Sequence, residues 1–355
     1  MKKIILTGGG TAGHVTPNIA LLPALKEADY DIRYIGSYRG MEKELIEAAG
    51  IPYYGISSGK LRRYLDLKNI SDPFKVLKGL GQAIRLLHKL KPDIIFSKGG
   101  FVSVPVVLAA RFCKIPAIIH ESDLTPGLAN KIAIPAARKV CCNFPETLKY
   151  LPKDKAVLTG SPIRQELLSG NPEHARSYCR FRTDRPVLLT IGGSSGSKVI
   201  NETIRAQLPA LLKKYQVIHL CGKGNLDDRL ISTEGYAQFE YISQQLKDMF
   251  ALADIVISRA GANAICELLA LRKPNILIPL SAAASRGDQI LNAKSFEKQG
   301  FSYVIEEENL SPDSLLKAIE TVSAKKASYR SAMAESGQMD SIQTILNLIE
   351  KELAR

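Results

Sequence analysis

Tryptophan is absent from this 355-residue chain, and phenylalanine and tyrosine bring the aromatic share to only 6%. A stacking platform for single-stranded nucleic acid needs aromatic side chains interleaved with basic ones, and no such pattern occurs. No apolar run approaches the roughly 20 residues of a membrane-spanning helix. The N-terminus, MKKIILTGGG, sets two lysines before an apolar stretch too short for a secretory signal, so a cytoplasmic protein is expected. The six cysteines show no metal-type spacing, and Cys141 and Cys142 are adjacent; they are read as reduced, mostly buried thiols. The phosphate-binding Gly-x-x-x-x-Gly-Lys-Ser/Thr pattern is missing as well, because Lys198 follows Gly-Ser rather than preceding a hydroxyl residue.

What the chain has in excess is positive charge, a formal +13. Nucleic acid, an anionic membrane surface and phosphorylated small molecules are the partners this suggests. Between Lys60 and Lys91 nine Lys/Arg stand against two acids, Asp66 and Asp72. A basic face that local suits a membrane surface or a nucleic acid better than a small ligand, and the missing aromatics disfavour the nucleic acid.

Apolar residues make up 45% of the chain, enough for two full cores at this length. Short apolar runs bounded by turn residues recur at 4–7, 31–36, 93–97, 116–120, 139–144 and 155–159, then at 186–191, 215–221, 239–242, 254–258, 274–280 and 301–305. Helical patterns separate most of them. Such alternation predicts parallel sheets covered by helices on both faces, here as two doubly wound α/β domains. GSPIRQELLS (160–169) is the expected joint. The expected bounds are 1–162, 163–338, and a terminal helix over 339–355 that could cross back onto the first domain.

Ligands of open parallel sheets sit beyond the carboxyl ends of the strands. Three glycine-rich turns follow predicted strands: GGGTAGH (8–14), SKGGFVS (97–103) and GGSSGSK (192–198). Glycine permits close backbone approach, and a helix start offers free N–H donors, a combination that stabilises an anion without a metal. Ordinary sharp turns are the alternative for any one of them. Gly8, Gly10 and Gly13 formally satisfy G-x-G-x-x-G, but the second strand ends in Gly36-Ser37 without the acidic ribose partner of a dinucleotide fold. A fourth turn, SRAGANAICEL (258–268), sets Glu267 four residues after Asn263, on one helical face. A carboxylate there suits a pair of ribose hydroxyls; a solvent-facing helix glutamate is the competing reading.

GGGTAGHVTPNIAL, KGGFVSVPVVLAA, HESDLTPGLANK, GSPIR, GGSSGSKVIN and SRAGANAICELLAL…PNILIPL…GDQILNA, in this order over nearly the whole chain, resemble glycosyltransferase family 28. The resemblance is to its peptidoglycan-forming members, which move N-acetylglucosamine from UDP-GlcNAc to undecaprenyl-diphospho-N-acetylmuramoyl pentapeptide, lipid I. It implies the GT-B architecture, two Rossmann-like domains with a cleft between them. It also implies roles: Ser194 at a donor phosphate, Arg164 at the nucleotide, the Ile242 backbone at uracil, and Glu267 at the ribose. Ala262 and Asn263 would lie against phosphate and sugar, Gln289 at sugar hydroxyls, and Thr11, Ala12 and Gly13 would approach the donor from the first domain. Gly99 and Gly100 are assigned to the acceptor diphosphate. Asp288 and Asp123 depart from the Gln and Asn of some relatives. A diacylglycerol glycosyltransferase of the same architecture would share the nucleotide turns and differ around 97–105 and 121–130.

Inversion at the sugar C1 requires that the acceptor C4 hydroxyl lose its proton and that the departing diphosphate be stabilised. His14, at a helix start, is the expected base, with Glu121 as rival base or orienting partner. No Asp-x-Asp motif in a strand context points to a divalent metal, so no cofactor is obligatory and Mg²⁺ is at most stimulatory. Residues 73–90, PFKVLKGLGQAIRLLHKL, read as an amphipathic helix. Val76, Leu80, Ala83, Leu87 and Leu90 form the expected core stripe. Phe74, Leu77 and Ile84 lie on a flank among Lys75, Lys78 and Arg85, which suits docking on an anionic leaflet over 74–85; a wide core face with solvated lysines is the other reading. The expected location is the cytoplasmic face of a bacterial membrane, peripheral. UDP-GlcNAc, lipid I and cell-wall synthesis proteins are the expected partners, and no nucleic acid.

Overall fold

The computed structural model describes residues 1–59, 72–182, 184–193, 195–283, 287–336 and 340–354. The chain divides into two units, Met1–Arg164 with Gln338–Arg355, and Gln165–Gly337.

The first unit runs β1 (Lys2–Thr7), α1 (Thr16–Glu27), β2 (Tyr30–Ser37), α2 (Met41–Ala48), β3 (Tyr53–Ile56), α3 (Asp72–Leu90), β4 (Ile94–Ser97), α4 (Ser103–Phe112), β5 (Ala117–Glu121), α5 (Leu128–Ala133), β6 (Lys139–Cys142) and β7 (Ala156–Leu158). All its strands are parallel, in the order β3-β2-β1-β4-β5-β6-β7. Successive residues of a strand face opposite sides of the sheet, and β1 shows the result. Ile4 and Leu6 enter one core with Leu21 and Leu25 of α1, whereas Ile5 enters another with Leu87 of α3 and Val106 of α4. A strand covered on both faces must be apolar throughout, which is why Ile4-Ile5-Leu6 is an unbroken run.

The second unit runs α6 (Pro172–Tyr178), β8 (Val187–Ile191), α7 (Lys198–Lys214), β9 (Gln216–Leu220), β10 (Tyr236–Phe239), α8 (Leu246–Leu252), β11 (Ile255–Ser258), α9 (Ala262–Ala270), β12 (Asn275–Leu277), α10 (Asp288–Lys298), β13 (Tyr303–Val304), α11 (Pro312–Ala324) and α12 (Lys326–Ala334). Its parallel order is β10-β9-β8-β11-β12-β13. Leu188, Ile255 and Ile276 pack with Ile204 and Leu208 of α7 and Ile319 of α11. The last helix, α13 (Ser341–Leu353), belongs to the first unit, where Ile345 and Ile349 join the core of Ile4 and Leu6.

Three expectations need correction. Strand β3 had no counterpart among the predicted runs; it is an edge strand whose Tyr53 and Tyr54 are only half-buried. The strand expected at 239–242 lies three residues earlier, as β10. On α3, Ala83, Leu87 and Leu90 are buried as expected, and Phe74 and Leu77 stand 71% and 63% exposed. Ile84, expected on the apolar flank, instead packs partly against the core. Residues 60–71 of the basic stretch lie outside the described residues.

Candidate functional site

In each sheet the chain reverses its direction of growth at one point, between β1 and β4 and between β8 and β11. The loops beyond the carboxyl ends of those strands diverge and leave a crevice. The four glycine-bearing turns of the sequence fall at these two points.

In the first unit, Tyr34 donates from its hydroxyl to the Gly8 carbonyl at 2.7 Å, and Asn18 Nδ2 donates to Thr7 O at 3.1 Å, so the glycine turn is seated from below. Buried Glu42, on the first turn of α2, clamps it from the side by accepting from Gly10 N at 3.2 Å and from Ser37 N at 3.2 Å. Gly100 has φ +84°, and a Cβ there would lie 2.2 Å from the Gly9 carbonyl oxygen. The glycine therefore serves backbone-to-backbone packing of the turns after β1 and β4. Gly99 lies against Asn130.

His14 ends the short helical turn Ala12–His14 and is half-buried; Thr11 and Ala12 before it are exposed and Gly13 is half-buried. Its Nδ1 lies 2.9 Å from the Lys98 carbonyl. A carbonyl only accepts, so Nδ1 carries the hydrogen and the neutral ring keeps its lone pair on Nε2. Burial is the main cause holding His14 below the ordinary imidazole value. That favours the form able to take a proton.

Glu121, at the end of β5, is buried and shares this edge of the sheet. One oxygen accepts from Asp123 N at 3.0 Å, the other from Gly127 N at 2.9 Å and Asn130 Nδ2 at 2.8 Å. Burial nevertheless pushes its carboxyl up to about 7. With both oxygens engaged by the loop after β5 and the first turn of α5, this geometry is that of an orienting group more than of a free base. Arg164 is half-buried and ends the first of the two chain segments of this unit.

In the second unit the turn after β8 closes on the turn after β9: a Cβ on Gly196, at φ +74°, would lie 2.0 Å from the Cys221 carbonyl oxygen. Ser194 lies outside the described residues. Ser197 caps α7, its Oγ accepting from Ile200 N at 3.4 Å. Gly261 precedes α9, whose first turn holds buried Ala262 and half-buried Asn263; Glu267, also half-buried, follows one turn on. The N-termini of α7 and α9 thus lie at the reversal point, where first-turn N–H groups and the helix dipoles favour an anion. Gln289, half-buried on α10, accepts at Oε1 from Leu280 N at 3.0 Å, joining that helix to the loop after β12. Ile242 is buried beyond β10. Because every strand points the same way, the turns bearing Ile242, Ala262 to Glu267 and Gln289 all leave one edge of the sheet.

Two residues of these sites had no place in the sequence reading. Arg259 donates to Ser197 Oγ at 2.6 Å and to the Ile278 carbonyl at 3.2 Å, and it pairs with Glu307. Lys98 is fully buried under the second glycine turn. Each is a charge set directly at a strand end, the one signal that could have marked them. Among the described residues no three or more His, Cys, Asp and Glu side chains gather in a metal-binding group, and no helix is long and apolar enough to cross a membrane.

Comparison with known proteins also finds two parts, the second of which runs on into α13. Residues 4–142 match the glycosyltransferase family 28 N-terminal domain, and 187–348 match the glycosyltransferase family 28 C-terminal domain. A relative from Lachnospira eligens is 67% identical over 350 residues, 99% of each chain. One from Clostridium perfringens is 60% identical over 349 residues, 98% of each. Both carry the name UDP-N-acetylglucosamine–N-acetylmuramyl-(pentapeptide) pyrophosphoryl-undecaprenol N-acetylglucosamine transferase. Among solved structures, Acinetobacter baumannii MurG superposes with a TM-score of 0.77 at 26% identity, covering 99% of this chain and all of that one.

Proposed function

The chain belongs to glycosyltransferase family 28, and from that membership we propose that it transfers N-acetylglucosamine from UDP-GlcNAc to the C4 hydroxyl of the N-acetylmuramoyl residue of lipid I, giving lipid II. One observation carries this reading: relatives 58–67% identical over nearly their whole length all bear this transferase's name.

The chemistry needs one in-line displacement. The acceptor C4 oxygen forms a bond to the sugar C1 as the bond from C1 to the diphosphate oxygen breaks, and UDP leaves with the electron pair. His14 is the group for the proton, taken on Nε2. Its Nδ1–H is already committed to Lys98 O, so the basic nitrogen is defined before substrate arrives. The negative charge growing on UDP falls to the donor unit. There the N-termini of α7 and α9 and Ser194 are the stabilising groups, and the Arg164 guanidinium acts with them. Glu267 accepts from the ribose hydroxyls, Gln289 holds sugar hydroxyls, and the backbone at Ile242 reads uracil. Gly99 and Gly100 approach the acceptor diphosphate, with Thr11, Ala12 and Gly13 beside the donor. No residue is assigned to a cation; Mg²⁺ is at most a stimulant. The exposed Phe74 and Leu77 of α3, rimmed by Lys75, Lys78 and Arg85, bring the enzyme to the leaflet that holds the acceptor's lipid tail.

Transfer of labelled N-acetylglucosamine to a lipid I analogue tests the proposal, with UDP-glucose as control donor and diacylglycerol as control acceptor. Product from UDP-GlcNAc and lipid I alone is expected. Equal transfer to diacylglycerol would replace this reading with a glycolipid synthase. His14→Gln should lower kcat by roughly 10²-fold or more.

A further inference from the structure

Lys98 is fully buried in the turn after β4. Its Nζ lies 2.8 Å from His120 Nδ1 and 2.9 Å from Ser122 Oγ. His120 Nε2 lies 2.9 Å from the Gly160 carbonyl, which can only accept. The His120 hydrogen therefore sits on Nε2, its Nδ1 is the acceptor, and the amine of Lys98 is the donor. Burial, and then the Lys98 charge, hold His120 well below the imidazole range, so this ring stays neutral beside the ammonium. Removing an ammonium from water is costly unless it is well hydrogen-bonded. Packing alone would be served as well by methionine of similar length.

The backbone of the same residue supplies what packing does not explain: the Lys98 carbonyl is the acceptor for His14 Nδ1. We propose that Lys98 is a positioning residue for His14, its carbonyl choosing the tautomer that leaves the lone pair on Nε2 and its buried ammonium, on the same turn, reinforcing burial in keeping that ring neutral. The two halves of the residue need each other. A carbonyl accepting from an imidazole N–H also favours the protonated ring, because imidazolium is the stronger donor. The ammonium opposes that pull through space. After burial, the effects acting on His14 are the Lys98 carbonyl, which raises its proton affinity, the Lys98 ammonium, which lowers it, and the Glu42 carboxylate at the start of α2, which raises it. The inference rests on the reading of His14 as the base.

Nuclear magnetic resonance of imidazole-labelled enzyme tests it, with His14 identified by loss of its signal in His14→Gln. Lys98→Met removes the charge at constant length; Lys98→Gln also keeps donors for His120 and Ser122. In both, the His14 midpoint should rise by about half a pH unit or more. The acidic limb of kcat should rise equally, with KM for UDP-GlcNAc within about twofold of the parent. An unmoved midpoint in folded variants overturns the assignment. So does a uniform loss of kcat at every pH without a shifted limb, which marks a merely structural lysine. A raised midpoint with an unmoved limb supports Lys98 and removes His14 as the base, so the two failures are told apart. Failure of both variants to fold would make the ammonium a folding element and likewise overturn the proposal.

Discussion

Arg259 donates to Ser197 Oγ across 2.6 Å, although 62 residues separate them. Ser197 is the cap of α7, and Arg259 leads into α9. The same guanidinium holds the carbonyls of Ile278 and Pro279 and pairs with Glu307 beyond β13. One side chain thereby ties together the turns that follow β8, β11, β12 and β13, which include both helix starts assigned to the donor diphosphate.

Arg259→Met should therefore damage donor binding without any direct contact to the donor. It leaves the poorly exposed Glu307 carboxylate without its cation, a loss of about 3–5 kcal/mol when such a pair is broken from one side. The expected result is at least a tenfold weaker Kd for UDP-GlcNAc by calorimetry, with a lower melting transition. Arg259→Lys should recover little, since an ammonium cannot reproduce the fork geometry. Unchanged donor affinity in Arg259→Met would show that the turns hold without it.

The raised carboxyl of Glu121 makes a pH signature. In an unfolded chain this group titrates near 4.5, in the folded unit near 7, chiefly because it is buried. Between those values the native state holds a proton that the unfolded state has released, so stability must fall as pH rises from 4.5 to 7. The contribution is fully present below about 4.5 and lost above about 7, at most on the order of 3 kcal/mol. His120 and His219, held below the imidazole range, slope the other way. The readout is thus the difference between the parent and Glu121→Gln in denaturant titrations across this window. A difference independent of pH would mean that the three N–H donors to this carboxylate outweigh its burial.

The parts of this molecule visible in its sequence are those encoded locally. Unbroken apolar runs such as Ile4-Ile5-Leu6 announce strands buried on both faces. Gly100 and Gly196 announce turns because no other residue could stand so near a neighbouring carbonyl. Strand β3 escaped because Tyr53 and Tyr54 sit half-exposed on an edge, where the apolar signal is weak. In β10 the polar Gln238 interrupts the run, its side chain serving Asp227 and Arg205, and the apparent strand slides to 239–242. Lys98 and Arg259 were illegible for a different reason: their meaning lies in partners 22, 24 and 62 positions away. Only the strand order brings those residues together. A spacing rule cannot see a contact that topology makes.

On α3, the apolar pair that faces solvent makes a prediction for membrane docking. Phe74 and Leu77 are highly exposed, and Lys75, Lys78 and Arg85 around them are exposed too. Each side chain contributes about 1.5–3 kcal/mol if it is fully buried in the interface, and each cation about 1 kcal/mol near an anionic surface. Phe74→Ser with Leu77→Ser should cut sedimentation with vesicles rich in anionic lipid by tenfold or more, leaving turnover of a water-soluble lipid I analogue intact. Replacing the three cations by Gln should abolish the preference for anionic over neutral vesicles. Binding that ignores both the apolar and the charge substitutions would take the docking face away from α3.

The far C-terminus should matter to the stability of the first unit although it is remote in sequence from that unit's sheet. Helix α13 carries Ile345, fully buried with Ile4, Leu21 and Leu25. Ser341 Oγ donates to the Ser161 carbonyl at 2.6 Å, Tyr30 hydroxyl to Glu350, and Arg138 pairs with Glu352 at 2.8 Å. The helix is thus fastened near both ends as well as through its apolar stripe. Ile345→Ala removes three buried carbons from a close-packed core and should cost about 2–5 kcal/mol. With no tryptophan as an optical probe, hydrogen exchange read by mass spectrometry resolves the two units. Peptides of β1 and β2 should lose protection in this variant while those of β8 and β9 keep theirs. Equal loss in both sets would tie α13 to the second core as much as to the first, and no loss in either would make its burial energetically empty.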